Sequence, residues 1–528
     1  MSESNPGQRR QHGAPVFILD EDSERTAGRD AQQANIEAGK AIAEAVRTTL
    51  GPQGMDKMLV SDSGDVVITN DGATILSEMD IEHPAAQMLA DVADEQEAAL
   101  GDGTTTAAVL TGELLSAAED FIDDDIHPRT IVEGYWAAER IAAGAVDDYV
   151  VDADAFDGEP LQTVVESALT GKGTGSVSVP ALAETVVGAV QQVADDGEVA
   201  GDAVAVEAHT GKSASATEVV DGIIAEAEPI RDGMPDRLDD ATVAVVDDAL
   251  EQRDPEIDAE YTISSDDQLS AAVTAEEETL VGYAETLADA GVDAAFVTDD
   301  IADRTADALA SAGILAFEDI DSDDAAAVAD VAGASQVPGP DEIAADDLGT
   351  VGTVAIEAVD DDTAVRVEDG AGEQRATVMV RGSTEHALDE IERAVNDGID
   401  VAVATHDHGE VVPGGGLVEL GIAERLRTEA ASVEGRRQLA VEAAAEAFDA
   451  VPRTLARNAG RDPIDTLVQL RADNQEGRAS LVVGEDVEVA DPVDRGVLDP
   501  AAVKRESIRS AVEVATMILR IDDVITAD

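Results

Sequence analysis

The chain has 528 residues, too many for one hydrophobic core, so two or three domains are expected. It carries 115 acidic residues against 33 basic ones, a formal net charge of −82, which excludes a broad nucleic-acid-binding surface because phosphates would be repelled. It has no cysteine, hence no disulfide framework, and no run approaching about 20 apolar residues, so no membrane span is expected.

Hydrophobic residues make up 44% of the chain but aromatics only 2%, so alanine and valine must fill much of the core. The acid is spread along the chain, and helical periodicity survives around it. That pattern fits a solvated acidic surface adapted to molar salt, where a Debye length of about 3 Å screens self-repulsion. The only lysines are Lys40, Lys57, Lys172, Lys212 and Lys504. The missing cysteine, and a polar start from Met1 to Val16 without an apolar signal core, fit a cytoplasmic protein.

Taken in order, residues 1–13 read as flexible and 16–19 as extended. From about 30 to 152 the chain is mainly helical. Ile36, Ala43, Val46 and Leu50 share one helix face. Gly51-Pro52 ends that helix, since glycine tolerates a left-handed stop and proline cannot continue. Residues 65–69, β-branched from Val66 on, read as a strand. Asn70-Asp71-Gly72 follows as a turn that presents the Asp71 carboxylate outward. Leu89, Val92, Ala93, Gln96 and Leu100 mark a second helix, stopped by Gly101. Thr104 is the expected N-cap of a third, which carries Leu110, Leu114 and Phe121. A fourth, over 130–149, holds the only tryptophan, Trp136, which is expected in the core.

From 153 to about 218 the texture changes. Helices are expected over 161–169 and 181–194, with a turn at 195–197 and a strand over 204–207. From about 219 to 370 strands (242–246, 294–298, 314–317) alternate with helices (269–290, 301–312), which predicts a separate sheet with helices packed on it. Residues 250–268 are polar, interrupt that alternation and are expected to protrude. A strand over 377–380 and a helix over 384–396 follow, and the chain after Gly409 is helical again. Two outer helical blocks thus flank two middle blocks. The nesting predicts one domain built from both chain ends, a second inserted in it, and a third inserted in the second.

The chemistry gathers in glycine turns. A helix opening Gly101-Asp102-Gly103-Thr104-Thr105-Thr106 offers free backbone N–H groups, hydroxyls and a positive dipole end, which together make a phosphate cradle. Asp102 beside a phosphate makes sense if Mg²⁺ lies between them. A second carboxylate, Asp71, could then orient an attacking water. The same residues also suit an ordinary helix–helix turn. Gly211-Lys212-Ser213 is not a Walker A loop, because Val206 stands where its first glycine is needed. His406-Asp407-His408 reads as a surface turn rather than a metal pair, since positions i and i+2 share a face only on a strand. Asn396-Asp397-Gly398 reads as a helix end carrying an acid. Pro413-Gly414-Gly415-Gly416 and Gly496-Val497-Leu498-Asp499-Pro500 read as turns entering helices.

In this order the motifs resemble those of a group II chaperonin subunit, the archaeal thermosome family, of haloarchaeal type. The resemblance runs from about Pro15 to Ala527. It rests on Gly54-Met55-Asp56-Lys57-Met58, Val67-Ile68-Thr69-Asn70-Asp71-Gly72-Ala73-Thr74, the Gly101–Thr106 run and Leu169-Thr170-Gly171-Lys172-Gly173. It also takes in Arg381-Gly382-Ser383-Thr384-Glu385-His386, the Gly414–Gly416 run and Leu519-Arg520-Ile521-Asp522-Asp523.

The resemblance implies a mainly α equatorial ATPase domain from both chain ends (1–152 and 406–528) and an α/β intermediate hinge domain (153–217 and 374–405). It implies an α/β apical domain (218–373) that grips non-native protein, with a helical protrusion at about 250–268. Identical or related subunits would form a double ring. ATP and Mg²⁺ are the implied cofactors, with K⁺ as a candidate further ion. Leu50, Gly51, Pro52 and Gly72 would line the nucleotide, Asp102 would hold Mg²⁺, and Gly103, Thr104, Thr105 and Thr106 would hold phosphate. Asp71 and Asp397 would position the attacking water, and Lys172 would sense the γ-phosphate. Gly414 and Gly415 would pack on the nucleotide and Asp499 would meet the ribose. Gln53, Gln87 and Gly398 depart from the usual lysine, lysine and alanine. Gly398 should loosen its helix by about 1 kcal/mol relative to alanine. That departure motivates an alternative, a nucleotide-binding structural subunit of a mixed ring with weak or no ATPase activity of its own.

Overall fold

The first and last described strands meet in one antiparallel ladder. In a computed structural model, Arg25–Ala27 pairs with Asp523–Ile525, with Arg25 opposite Ile525. The structure describes residues 25–525, apart from 62–63, 65, 152–159, 195–198, 201–202, 252–265, 340–342, 360–361, 476 and 485. The expected flexible start, the extended 16–19 segment and the 195–197 turn lie outside the described residues. So does most of the expected protrusion. Its first residue, Leu250, is fully buried and bridges to Ile301.

Around that ladder, helices from both halves share one core. Arg29–Arg47, Pro84–Leu100, Thr104–Asp123 and Pro128–Val146 pack with Leu417–Glu429, Arg437–Asn458 and Ala501–Leu519. With few aromatics, the helices approach closely over small residues. A Cβ on Gly39 would stand 2.6 Å from Leu115, and one on Gly112 would stand 2.5 Å from Ala43. Trp136 is not in the core: it is 45% exposed. The buried stripe of its helix runs through Ile131, Tyr135, Ala138 and Ala142, and position 136 lies about 100° off that stripe. Tyr135 takes the core position and donates its hydroxyl to the Leu114 carbonyl at 2.6 Å.

A second core belongs to a seven-stranded sheet between residues 222 and 370. Its strand order is Gly222–Glu226, Asp362–Gly370, Gly349–Val359, Arg237–Val246, Ala294–Val297 and Leu315–Phe317, with Gln336–Val337 also on Arg237–Val246. The first four strands pair antiparallel and the later ones parallel. Phe296 and Phe317, on the last two strands of that order, stack 4.9 Å apart. Helices Asp266–Ala290, Asp303–Ala312 and Ser322–Ala332 alternate with the parallel strands.

A third core joins the sheet Val204–His209, Ala376–Arg381 and Glu218–Val220 to helices Pro160–Leu169, Val179–Val193 and Glu385–His408. The last helix corrects two expectations. It does not end at Asn396-Asp397-Gly398 but runs 24 residues to the left-handed Gly409. Gly398 is tolerated because the helix is packed there: a Cβ would stand 3.4 Å from both Leu169 and Val186. His406, Asp407 and His408 therefore form its last turn and not a surface turn.

Candidate functional site

A cavity of about 860 Å³ opens where the first core meets the third, lined by residues from 49 to 504. Three N-terminal turns form one side. The first follows the Arg29–Arg47 helix, where Gly51 takes a left-handed φ of 85° and a Cβ would stand 2.4 Å from Leu455. Asn458 holds this turn by donating its amide to the carbonyls of Arg47 and Leu50, at 3.2 and 2.9 Å.

The second turn carries Asp71. Its carboxylate does not simply point outward. It caps the short Gly72–Ser77 helix and accepts the Thr74 N–H at 2.6 Å. Gly72 sits against the third turn, where a Cβ would stand 2.4 Å from the Thr105 hydroxyl.

In the third turn Gly101 is left-handed and stops the Pro84–Leu100 helix. The N-cap of the next helix is Gly103 rather than Thr104, with a φ of 89° and no side-chain cap. A glycine cap leaves the first-turn N–H groups without a competing side chain. Asp102 accepts the Gly103 N–H at 2.6 Å.

Acids meet at the wall of this cavity. Asp71, Glu97 and Asp397 each offer a carboxylate oxygen within 4.8 Å of the others. Asp397 is only 8% exposed and is ion-paired with Lys172. Burial raises the proton affinity of Asp397, against the pull of Lys172. Burial, then Asp397 and Asp71, push Glu97 up to about 9. Burial likewise raises Asp102, with Lys172 opposing. Burial alone would pull Lys172 down, but Asp397 and Asp102 outweigh it and its proton is held firmly. One Glu97 oxygen is buried without a partner. Crowded acids with an unpartnered oxygen, beside an uncapped helix start, fit a metal–phosphate group.

The C-terminal half closes the other side. Gly415 and Gly416 take φ of 66° and 83° before the Leu417–Glu429 helix. A Cβ on Gly414 would stand 3.1 Å from the Asp499 carboxylate. Lys504 bridges Asp499 at 2.7 Å and the buried Glu419 at 2.8 Å. The hairpin Ser480–Val483 and Val487–Ala490 adds apolar wall at Leu481, Val482 and Val483.

The expected residues Leu50, Gly51, Pro52, Asp71, Gly72, Asp102, Gly103, Thr104, Thr105, Thr106, Lys172, Gly415 and Asp499 all line the cavity. Asp397 and Gly414 stand behind the wall, against Lys172 and Asp499. Sequence reasoning missed Glu97 and Asn458. Glu97 could have been found, because it stands at helical spacing from the buried Ala93 and Leu100, an odd place for an acid. Lys504 stood out in the sequence only as a retained lysine. Lys212 lies elsewhere and pairs with Glu357 at 3.5 Å. His406, Asp407 and His408 bond locally or to Val199, away from the cavity.

Among the described residues no helix is long and apolar enough to cross a membrane. A sequence model of the TCP-1/cpn60 chaperonin family matches residues 42–528. A Haloferax volcanii protein named thermosome subunit 3 is 56% identical over 517 residues, covering 97% of this chain and 98% of its own. Thermosome subunit alpha of Halobacterium salinarum is 47% identical, over 97% of this chain and 91% of its own. Thermosome subunit beta of Methanothermobacter thermautotrophicus is 44% identical, over 97% and 95%.

Proposed function

The chain belongs to the TCP-1/cpn60 chaperonin family and is a chaperonin subunit, and from that premise we propose that it hydrolyses ATP to drive protein folding in the cytoplasm. The observation that carries this reading is the shared cavity. Asp71, Asp102 and Lys172 line it, and Asp397 stands directly behind Lys172. Thr104, Thr105 and Thr106 would take the phosphates on an uncapped helix start. Asp102, beside them, would hold Mg²⁺, which when bound neutralises phosphate charge.

Asp71 and Asp397 would orient the attacking water. Lys172 opposes the protonation that burial favours at Asp397, which supports its use as an acceptor. Gly414 and Gly415 let the backbone approach the nucleotide, and Asp499, fixed by Lys504, would accept from the ribose. The three cores support a division into equatorial, intermediate and apical domains. We place the last boundary at Gly409, since the Glu385–His408 helix is unbroken. The apical sheet would grip non-native protein, and like or related subunits would complete a double ring.

The alternative of a subunit with little ATPase activity rested on Gly398 loosening a helix end. The helix instead continues through Gly398, and Asp397 is buried and paired. ATPase assays in molar KCl test the proposal. Turnover by the purified chain, lost by at least about 100-fold in Asp397→Ala with nucleotide binding retained, is the expected result. Tight ATP binding without turnover in the unaltered chain would overturn it.

A further inference from the structure

Two buried polar side chains stand behind the Asp102-Gly103 turn, and neither lines the nucleotide cavity. Gln96, on the Pro84–Leu100 helix, is 1% exposed; Ser507, on the Ala501–Leu519 helix, is 2% exposed. The Gln96 amide donates to the Asp102 carbonyl at 3.0 Å and to the Ser507 hydroxyl at 2.8 Å. The Ser507 hydroxyl in turn reaches the carbonyls of Gly103 and Val503, at 3.2 and 2.8 Å.

The fit around Gly103 is tight. A Cβ there would stand 2.3 Å from the Gln96 amide nitrogen and 2.4 Å from the Ser507 oxygen. Most of the surrounding contact between these helices is apolar, through residues such as Leu89, Ala93, Ile508 and Ala511. Packing alone would be served by apolar side chains of similar volume. A polar pair here has a different use: it holds both carbonyls of the turn from behind. With those held, the backbone from which the Asp102 side chain and the following N–H groups project is held too, and the Gly103 N–H is kept where it meets the Asp102 carboxylate.

We propose that Gln96 and Ser507 are positioning residues that set the Asp102 carboxylate for the metal of a metal–nucleotide complex. The inference rests on the reading of this cavity as the ATP site. Partners that orient a metal ligand are typically worth about 10- to 100-fold in metal affinity. Their loss should therefore weaken metal-dependent binding and spare binding of the nucleotide alone.

The test is equilibrium binding of ADP to the assembled protein in molar KCl, with Mg²⁺ and with EDTA, by calorimetry. Ser507→Ala, which removes one atom, should raise the half-saturating Mg²⁺ concentration by about tenfold. It should leave ADP affinity in EDTA unchanged, with Tm lowered only as far as the loss of a buried hydrogen bond requires, and Ser507→Thr should restore the metal response. Gln96→Leu should shift the Mg²⁺ response in the same direction. An unchanged Mg²⁺ half-saturation in Ser507→Ala overturns the inference while the ATP-site reading stands. An equal loss with and without Mg²⁺ also overturns it, because that marks a merely structural role. Failure of the unaltered chain to bind ADP at all overturns both readings together.

Discussion

Gly72→Ala offers a direct test of how closely the Asp71 turn and the phosphate turn must fit. The added Cβ would stand 2.4 Å from the Thr105 hydroxyl, 3.1 Å from the Thr104 hydroxyl and 3.3 Å from the Thr105 nitrogen. Ordinary contact begins near about 3.5 Å, so while the Thr105 hydroxyl keeps its place facing the phosphate site the two turns must part by about 1 Å. Rotation of the Thr105 hydroxyl alone does not relieve the other two contacts. A displacement of about 1 Å between a water-orienting acid and a phosphate site costs about 100-fold in rate, or about 2.7 kcal/mol of barrier. The Gly72–Ser77 helix itself gains from alanine, so stability should hold. The assay is ATP turnover with Mg²⁺ in molar KCl, beside ADP affinity and Tm. Turnover should fall about 100-fold while ADP affinity changes less than about tenfold. Gly144→Ala is the control, since nothing lies within 4 Å of a Cβ there. A Gly72→Ala protein that turns over within about threefold of the unaltered chain, with an unchanged Tm, would refute the reasoning.

Two further outcomes are expected. A chain with a net charge of −82 should lose its assembly, or melt at lower temperature, on dialysis from molar KCl to about 0.1 M salt, where the Debye length grows to about 10 Å; intact rings with an unchanged Tm would count against a salt-adapted surface. Burial, then Asp324, Glu226 and Glu392, push Glu207 up to about 7 from an ordinary 4.5, with His209 3.9 Å away. A raised acid pKa means that the fold holds a proton the unfolded chain has released, so stability falls as pH rises from 4.5 to about 7. Glu207→Gln removes that loss. Its melting temperature should match the unaltered chain near pH 4.5 and exceed it increasingly up to about pH 8, and a constant difference across that range would contradict the assignment.

Much of this architecture is legible in the residues, and the failures have physical causes. The helices that carry the site announce themselves through periodic apolar faces and glycine stops, as at Leu89, Ala93, Leu100 and Gly101. Local signals mislead where packing overrides them. Asn396-Asp397-Gly398 has the composition of a terminator, yet its helix packs against Leu169 and Val186 there, at distances where even a Cβ would make ordinary contact, and that packing carries it on to His408. Thr104 is a good capping residue in isolation, but the chain uses the left-handed Gly103 and leaves the helix start open. Trp136 sits one position from the buried stripe, and in an alanine-rich helix the sequence does not distinguish that position from its neighbour Tyr135. Glu97 escaped notice because a single acid among so many carries little contrast.

The pairing of residues so distant along the chain also orders events during synthesis. Gly103 leaves the ribosome 404 residues before the serine that holds its carbonyl, an interval of about 20 to 80 s at about 5 to 20 residues per second. The sheet spanning residues 222–370 draws on sequence made well before that. It can close while the helices of the first core still wait for Ala501–Leu519, which supplies Ile508, Val512, Ala515 and Ile518 to that core. On the proposed reading, competence to bind nucleotide would thus arrive only once Ala501–Leu519 has been made, and a chain released before that would carry a finished middle beside an unfinished site.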